Sequence, residues 1–231
     1  FWKFKSTIFC CPDQLEKQII EVLLISYEGE KILIVHTNLS FSLNYLIYMQ
    51  NIFLNYQHGN EENFNPVFPF CNTSCNNPLN TENFKEKWGN SLEVLINKRI
   101  NSQFEPLLEN LHDSIFINLF KNDDERDKYL LESYKSFLAW WEPDGFGAQL
   151  LLEMFLEKID LYTEIQKIIK EHQVSVTHDK LKIDVIYDDI VLTSPILKLG
   201  YVIVSYKELF HFKLTNSLSE KVTNQIMYAL N

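Results

Sequence analysis

The spacing Cys71-x-x-x-Cys75, within "FPFCNTSCNNP", is that of a zinc half-knuckle. Zinc takes four ligands in a tetrahedron, and a pair of cysteines this close supplies two of them. The vicinal pair Cys10-Cys11 is the available complement, but a second half of matching form is missing. Four separate free thiols, behaving as small hydrophobes, is the plainer reading. His178, with Asp179 beside it and Asp184 and Asp188 downstream, offers a different chemistry. An imidazole oriented by a carboxylate is a general base, and a carboxylate-rich strand end suits a metal. His172 would share a face with His178 if 172 to 178 were extended, because strand side chains alternate. Nothing in the sequence fixes a third ligand or a nucleophile. No metal and no cofactor is therefore expected, with Cys71, Cys75 and His178 as the residues that would contradict this.

A third constellation is acidic. Glu153, Glu157, Asp160 and Glu164 recur at spacings of four, three and four, which on one continuous helix aligns them in a stripe. The opposite positions, Leu151, Leu152, Phe155, Ile159, Tyr162, Ile165 and Ile169, are apolar, so the stripe reads as a solvated face or as a docking surface. Just upstream, "FLAWWEPDGFGAQ" places Trp140 and Glu142 off the inward side of a helix that Pro143 must end, with Asp144 able to cap the next one. Tryptophan is enriched among residues that anchor protein interfaces. Trp140, Glu142, Asp144, Glu153, Glu157, Asp160 and Glu164 are thus the candidate partner-binding residues.

Charge points the same way. The 231-residue chain carries a net charge of −10, and Asp123 to Asp189 alone holds 16 acidic against 8 basic residues. Such a field attracts basic partners and repels phosphate backbones. Arg99 and Arg126 are the only arginines, so paired recognition of phosphate or guanine has little material. Nucleic-acid binding is disfavoured. Phe41 to Tyr56, the most apolar stretch, is interrupted by Asn44, Gln50, Asn51 and Asn55, which argues against a bilayer span. The first residues lack the apolar core of a secretory signal, and four cysteines are too few for a disulfide scaffold, so a cytoplasmic location is expected.

The elements that must position these residues follow from periodicity. "IIEVLLISY" and "EKILIVHT" around Glu28-Gly29 read as a β-hairpin. A helix over 40–59 places Asn44, Asn51 and Asn55 on one face, and an Asn- and Pro-rich segment follows over 57–80. Further helices begin near Asn80 (with Phe84, Trp88, Leu92, Leu95 and Ile96 inward), at Pro106 and at Asp123, and the last of the group spans Phe146 to His172. "VSVTHDKLKIDVIYDD" and "GYVIVSYKELFHFKL" alternate like strands, and Ser217 with Glu220 forms a capping box for a closing helix. The expected fold class is α+β: an N-terminal β-hairpin, about five central helices, C-terminal antiparallel β segments and a closing helix, with one mixed or antiparallel sheet packed by helices. Residues 1–231 read as one domain, divisible into a helical 81–172 and a sheet-containing 1–56 plus 173–231.

Phosphate-loop, dinucleotide-binding, serine-hydrolase, zinc-protease and EF-hand patterns are all missing. The leading expectation is therefore an acidic protein-binding module, such as an inhibitor or immunity-type neutraliser of a basic protein, rather than an enzyme. The alternative is a metal-dependent or hydrolytic enzyme using the Cys71/Cys75 loop or the His178/Asp184/Asp188 region. A homo-oligomeric structural subunit is a third possibility.

Overall fold

The computed structural model describes residues 7–8, 19–27, 31–59, 61, 64–69, 77–101, 114–143, 147–151, 160–194 and 196–231. Cys10, Cys11, Cys71, Cys75, Asp144, Glu153, Glu157 and the first part, 106–113, of the helix expected from Pro106 lie outside these residues. The chain forms two compact units. One comprises Phe1–Ser40, Glu142–Asp189 and Pro195–Asn231; the other comprises Phe41–Trp141 and Ile190–Ser194.

The first unit holds the sheet, in the order β1 (Thr7–Ile8), β2 (Ile19–Tyr27), β3 (Lys31–Asn38), β4 (Lys180–Ile186), β5 (Tyr201–Ser205). β2 pairs antiparallel with β3, whereas β3, β4 and β5 run parallel to one another. This all-parallel trio corrects the expected fold class, because the C-terminal strands are neither antiparallel nor joined as a hairpin. The reason is the length of the connections. Parallel neighbours need a crossover of about a dozen residues or more; residues 39–179 provide one between β3 and β4, and 187–200 another between β4 and β5. Residue alternation signals a strand but not its direction.

A second correction concerns "SYKELFHFKL". Phe210, Phe212 and Leu214 alternate as in a strand, yet Tyr206–Thr215 is a helix, which buries Leu209 and Phe212. Together with α5 (Leu161–Glu171) and α7 (Glu220–Leu230), this helix, α6, packs in the sheet unit: α5 against β2 and α7, α6 and α7 against β5. The cap of α7 is Ser219, whose Oγ accepts the Val222 N–H at 3.3 Å, and not the expected Ser217. Its far end is fixed by two backbone bonds, from Thr177 N–H to the Leu230 carbonyl (2.9 Å) and from Gly200 N–H to the Ala229 carbonyl (2.7 Å). Gly200 has φ of +67°, and a β-carbon there would sit 3.2 Å from the Lys180 carbonyl oxygen, so this turn into β5 requires glycine.

The second unit is helical: α1 (Phe41–His58), α2 (Phe84–Asn101), α3 (Ser114–Ile117) and α4 (Arg126–Trp141). α2 buries Phe84, Trp88, Leu92, Leu95 and Ile96, the stripe that a 3.6-residue period creates. Trp88 donates its indole N–H to the Leu46 carbonyl at 2.8 Å, and Phe84 stacks on Phe53 at 4.3 Å, which ties α2 to α1. Tyr45 and Tyr48 of α1 reach Ser133 (2.7 Å) and Ser136 (2.8 Å) of α4. Both bonds join α1 to α4. Between them Phe137 is fully buried, with ring centroids 5.2 Å from Phe41, 5.3 Å from Tyr45 and Tyr48, and 5.2 Å from Trp141.

The asparagine face of α1 is buried as well: Asn44, Gln50, Asn51 and Asn55 have almost no exposure. The amides of Asn51 and Asn55 hold the following segment by its backbone. Asn51 donates to the Phe68 carbonyl at 2.7 Å. Asn55 donates to the Val67 and Pro69 carbonyls, each at 2.7 Å, and accepts the Val67 N–H at 3.0 Å. Gln50 accepts the Val191 N–H at 3.1 Å.

Candidate functional site

Register decides what the sheet presents. Asn38 is paired with Asp184, Lys182 with Tyr201, and Ile186 with Ser205. Since paired residues of neighbouring strands share a face and successive residues alternate, one face carries His36, Asn38, Lys182, Asp184, Tyr201 and Ser205. The other carries Leu33, Val35, Leu181, Ile183, Val185, Val202 and Val204, all buried. The first face thus holds these polar side chains, interspersed with Ile34, Ile186 and Ile203.

Asp184 is 0% exposed and accepts the Tyr201 hydroxyl at 2.7 Å. Beside it on the same face, Asn38 is 5% exposed and its Oδ1 has no hydrogen-bond partner; Thr37 Oγ1, on the opposite face, is likewise buried and unpartnered. Replacing Tyr201 by Phe withdraws the donor from a buried acceptor, which costs about 1–3 kcal/mol. Urea unfolding of Tyr201→Phe is expected to show a loss in that range; an unchanged midpoint would mean that Asp184 does not depend on this bond.

Beyond the strand ends, carboxylates meet lysines. Lys207 Nζ lies 2.9 Å from Asp188 and 3.4 Å from Asp189, while Lys221 Nζ lies 3.8 Å from Asp189 and 3.4 Å from Glu208. Ser205, the N-cap residue of α6, does not cap its own helix but donates to Asp189 Oδ1 at 2.5 Å. The network joins the end of β4 to α6 and α7. Burial alone would push the Asp189 carboxyl up; the Ser205 bond, Lys221 and Lys207 together outweigh it and hold the group below the usual carboxylate range. The Asp188 hydrogen bond, opposed by burial and aided by the charges of Asp188 and Asp189, raises Lys207 above an ordinary lysine.

The two shifts act at opposite ends of the pH scale. A depressed carboxylate stabilises the fold above its unfolded value of about 3.9, and that contribution disappears as pH falls through the folded value. A raised lysine stabilises below about 10.4 and loses its contribution as pH rises through the folded value. Ser205→Ala is therefore expected to move the acid-unfolding midpoint upward and leave the alkaline limb in place. A pH-stability series would disprove this if the acid limb of the variant overlaid that of the parent.

The sequence-selected residues are placed as follows. His178 is half-buried and precedes β4, whereas Asp188 follows it; the seven residues of β4, about 23 Å at ~3.3 Å per residue, lie between. His178, Asp184 and Asp188 therefore do not converge. Among the described residues no group of three or more His, Cys, Asp or Glu is disposed to hold a metal. Trp140 is half-buried, its ring 4.8 Å from Phe68 and 5.7 Å from Trp141. Glu142 is exposed. Asp160 is exposed and caps α5, accepting the Thr163 N–H at 3.2 Å and the Thr163 hydroxyl at 2.9 Å. Its non-helical φ and ψ of −85° and 75° interrupt the single helix expected over Phe146 to His172, so Asp160 and Glu164 are a cap and a first-turn residue and not points on one long stripe.

Sequence reasoning missed Asn38, Tyr201, Ser205, Lys207 and Lys221. Ser205 directly before a helix was the legible signal, but "SYKELF" reads as strand until the helix boundary is known. Comparison with known proteins finds no matching family model, no matching curated protein and no matching solved structure. Among the described residues no helix is long and apolar enough to cross a membrane.

Proposed function

We propose that this chain is an acidic protein-binding module that engages a basic partner, acting as an inhibitor or neutraliser of it. The observation that supports this reading is the exposure of its carboxylates. Between Asp123 and Asp179, Asp123, Asp124, Glu125, Asp127, Glu132, Glu142, Asp160, Glu171 and Asp179 are all exposed. Among the described residues, Lys128, Lys135, Lys167 and Lys170 are the exposed lysines of the same stretch. Carboxylates in water keep their charge at little cost, so the excess of acid acts as a field that accelerates encounter with a positive surface. Glu125, bonded by the Tyr129 hydroxyl and by Lys128, is held below the usual carboxylate range and stays charged in mild acid. Trp140 of the helical unit, and Glu142, Asp144, Glu153, Glu157, Asp160 and Glu164 of the sheet unit, remain the proposed contact residues.

The test is association with a panel of small basic proteins by stopped-flow across a salt series. The rate constant is expected to fall steeply as salt rises, and the triple variant Asp124→Lys, Asp127→Lys, Glu132→Lys to associate about tenfold more slowly at low salt. Association rates indifferent to salt in every member of the panel would sink the reading.

A further inference from the structure

Three successive carbonyls, those of Val67, Phe68 and Pro69, are bound by side chains of α1. Asn51 donates to the Phe68 carbonyl, and Asn55 to those of Val67 and Pro69 while it accepts the Val67 N–H. Among the described residues no backbone–backbone hydrogen bond involves 65–69. The segment has no regular structure, and Val67 and Phe68 are half-buried. The Phe68 ring rests against both helices, 6.4 Å from Tyr48 of α1 and 4.8 Å from Trp140 of α4. Tyr48, Asn51 and Asn55 are spaced i, i+3, i+7 and so form one row along α1. This row is oriented by groups outside the segment: Tyr48 donates to Ser136 Oγ at 2.8 Å, and Gln50 Nε2 donates to Asn51 Oδ1 at 3.3 Å.

We infer that the Tyr48, Asn51 and Asn55 row, with Trp140, is a peptide-binding site that 67–69 occupies in cis. In place of 67–69 it takes a short segment of another protein that carries an aromatic residue followed by proline. The chemistry of this ligand is that of the segment already seated there. Amides that bind main chain accept any sequence able to follow the same path, and the two rings select an aromatic side chain at the position of Phe68. Main-chain bonds that hold and side-chain contacts that select are the usual division in peptide recognition. Release of 67–69 without replacement would strip Asn51 and Asn55 of these bonds, so an incoming segment must remake them. Because 67–69 belongs to the same chain, it competes at an effective concentration of about millimolar, which a partner has to exceed. Recognition here is by amides and rings and not by charge. The site shares only Trp140 with the acidic surface proposed above and does not rest on that reading.

The probe is a capped, fluorescent peptide of sequence FNPVFP, that of 64–69, with the same peptide carrying alanine for its second phenylalanine as control. Binding to the full chain is read by anisotropy at low and high salt. The parent is expected to bind FNPVFP weakly. Phe68→Ala, which loosens the cis segment and leaves the row intact, is expected to bind it about tenfold more tightly. The control peptide is expected to bind about tenfold less well than FNPVFP, and Trp140→Ala, added to Phe68→Ala, to weaken binding. Salt is expected to leave the affinity unchanged, unlike association through the acidic surface. Circular dichroism and the thermal midpoint establish that the variants are folded. Hydrogen exchange in the parent needs no variant: the Val67 amide, held by Asn55 Oδ1, should exchange faster as peptide displaces it. The inference is overturned if folded Phe68→Ala does not bind FNPVFP, if parent and variant bind it equally, or if the control peptide binds equally. Val67 exchange indifferent to millimolar peptide would overturn it as well. A parent that is dimeric by light scattering, with Phe68→Ala monomeric, would overturn it in favour of exchange of 67–69 between two copies.

Discussion

Phe137→Ala is expected to destabilise the helical unit by about 3–5 kcal/mol, the range for removing a buried aromatic ring from a packed core. The ring of Phe137 is fully buried and touches Phe41, Tyr45, Tyr48, Trp140 and Trp141. Its loss removes apolar burial, leaves a void between α1 and α4, and breaks edge and stacked ring contacts on both helices at once. A deletion on this scale is a large fraction of the ~5–15 kcal/mol that holds a typical domain folded. Guanidinium unfolding followed by near-ultraviolet circular dichroism reads the tyrosine and tryptophan environments directly. A loss below about 1 kcal/mol would show that the aromatic cluster repacks around the missing ring and is not the centre of this unit. Leu131→Ala on the exposed side of α4 is the control, and its effect is expected to stay within about 0.5 kcal/mol.

The second large effect is expected at Asn55. Substitution by Leu keeps the volume but leaves the Val67 N–H and the Val67 and Pro69 carbonyls without their side-chain partner. Unpairing buried backbone groups costs about 1–3 kcal/mol each, so a loss of about 3 kcal/mol or more is expected. Asn51→Leu, which removes the bond to the Phe68 carbonyl and the acceptor of Gln50 Nε2, frees one backbone group of the segment where Asn55→Leu frees three, and is expected to cost less. Hydrogen exchange distinguishes the mechanism from a general weakening. The Val67 amide should lose protection in Asn55→Leu well before the amides of α2 do. Equal loss across the unit would mean that Asn55 stabilises α1 itself and does not clasp the 67–69 backbone.

These two positions also show what the sequence discloses and what it conceals. Helical spacing placed Phe84, Trp88, Leu92, Leu95 and Ile96 on one buried face because local periodicity and burial coincide there. The same logic grouped Asn44, Asn51 and Asn55, but type and spacing do not distinguish an amide facing water from one facing a backbone that needs hydrogen bonds. The strand-like alternation of Phe210, Phe212 and Leu214 misled because α6 is apolar on its outside as well as its inside. Parallel pairing was hidden for a different reason. Asn38 and Asp184 become neighbours only through register between strands remote in sequence, and no local pattern encodes that. At the candidate site, Asp184 and Asp188 were legible as carboxylates at a strand end, whereas Tyr201, Ser205 and the lysines that complete their surroundings were not.

The insertion of α1 through α4 between β3 and β4 sets an order of events during synthesis. Asn38 leaves the ribosome 146 residues before its register partner Asp184. At ~5–20 residues per second, β3 therefore waits about 7–30 s for the strand that pairs with it. The helical unit needs only Ile190–Ser194 from later in the chain, and its helices can form and associate within that interval. Until β4 emerges, one edge of β3 exposes unpaired N–H and C=O groups on a strand that includes Leu33 and Val35. The nascent protein thus presents this open edge while 41–179 are being made, and slower elongation through 41–179 would lengthen that vulnerable period.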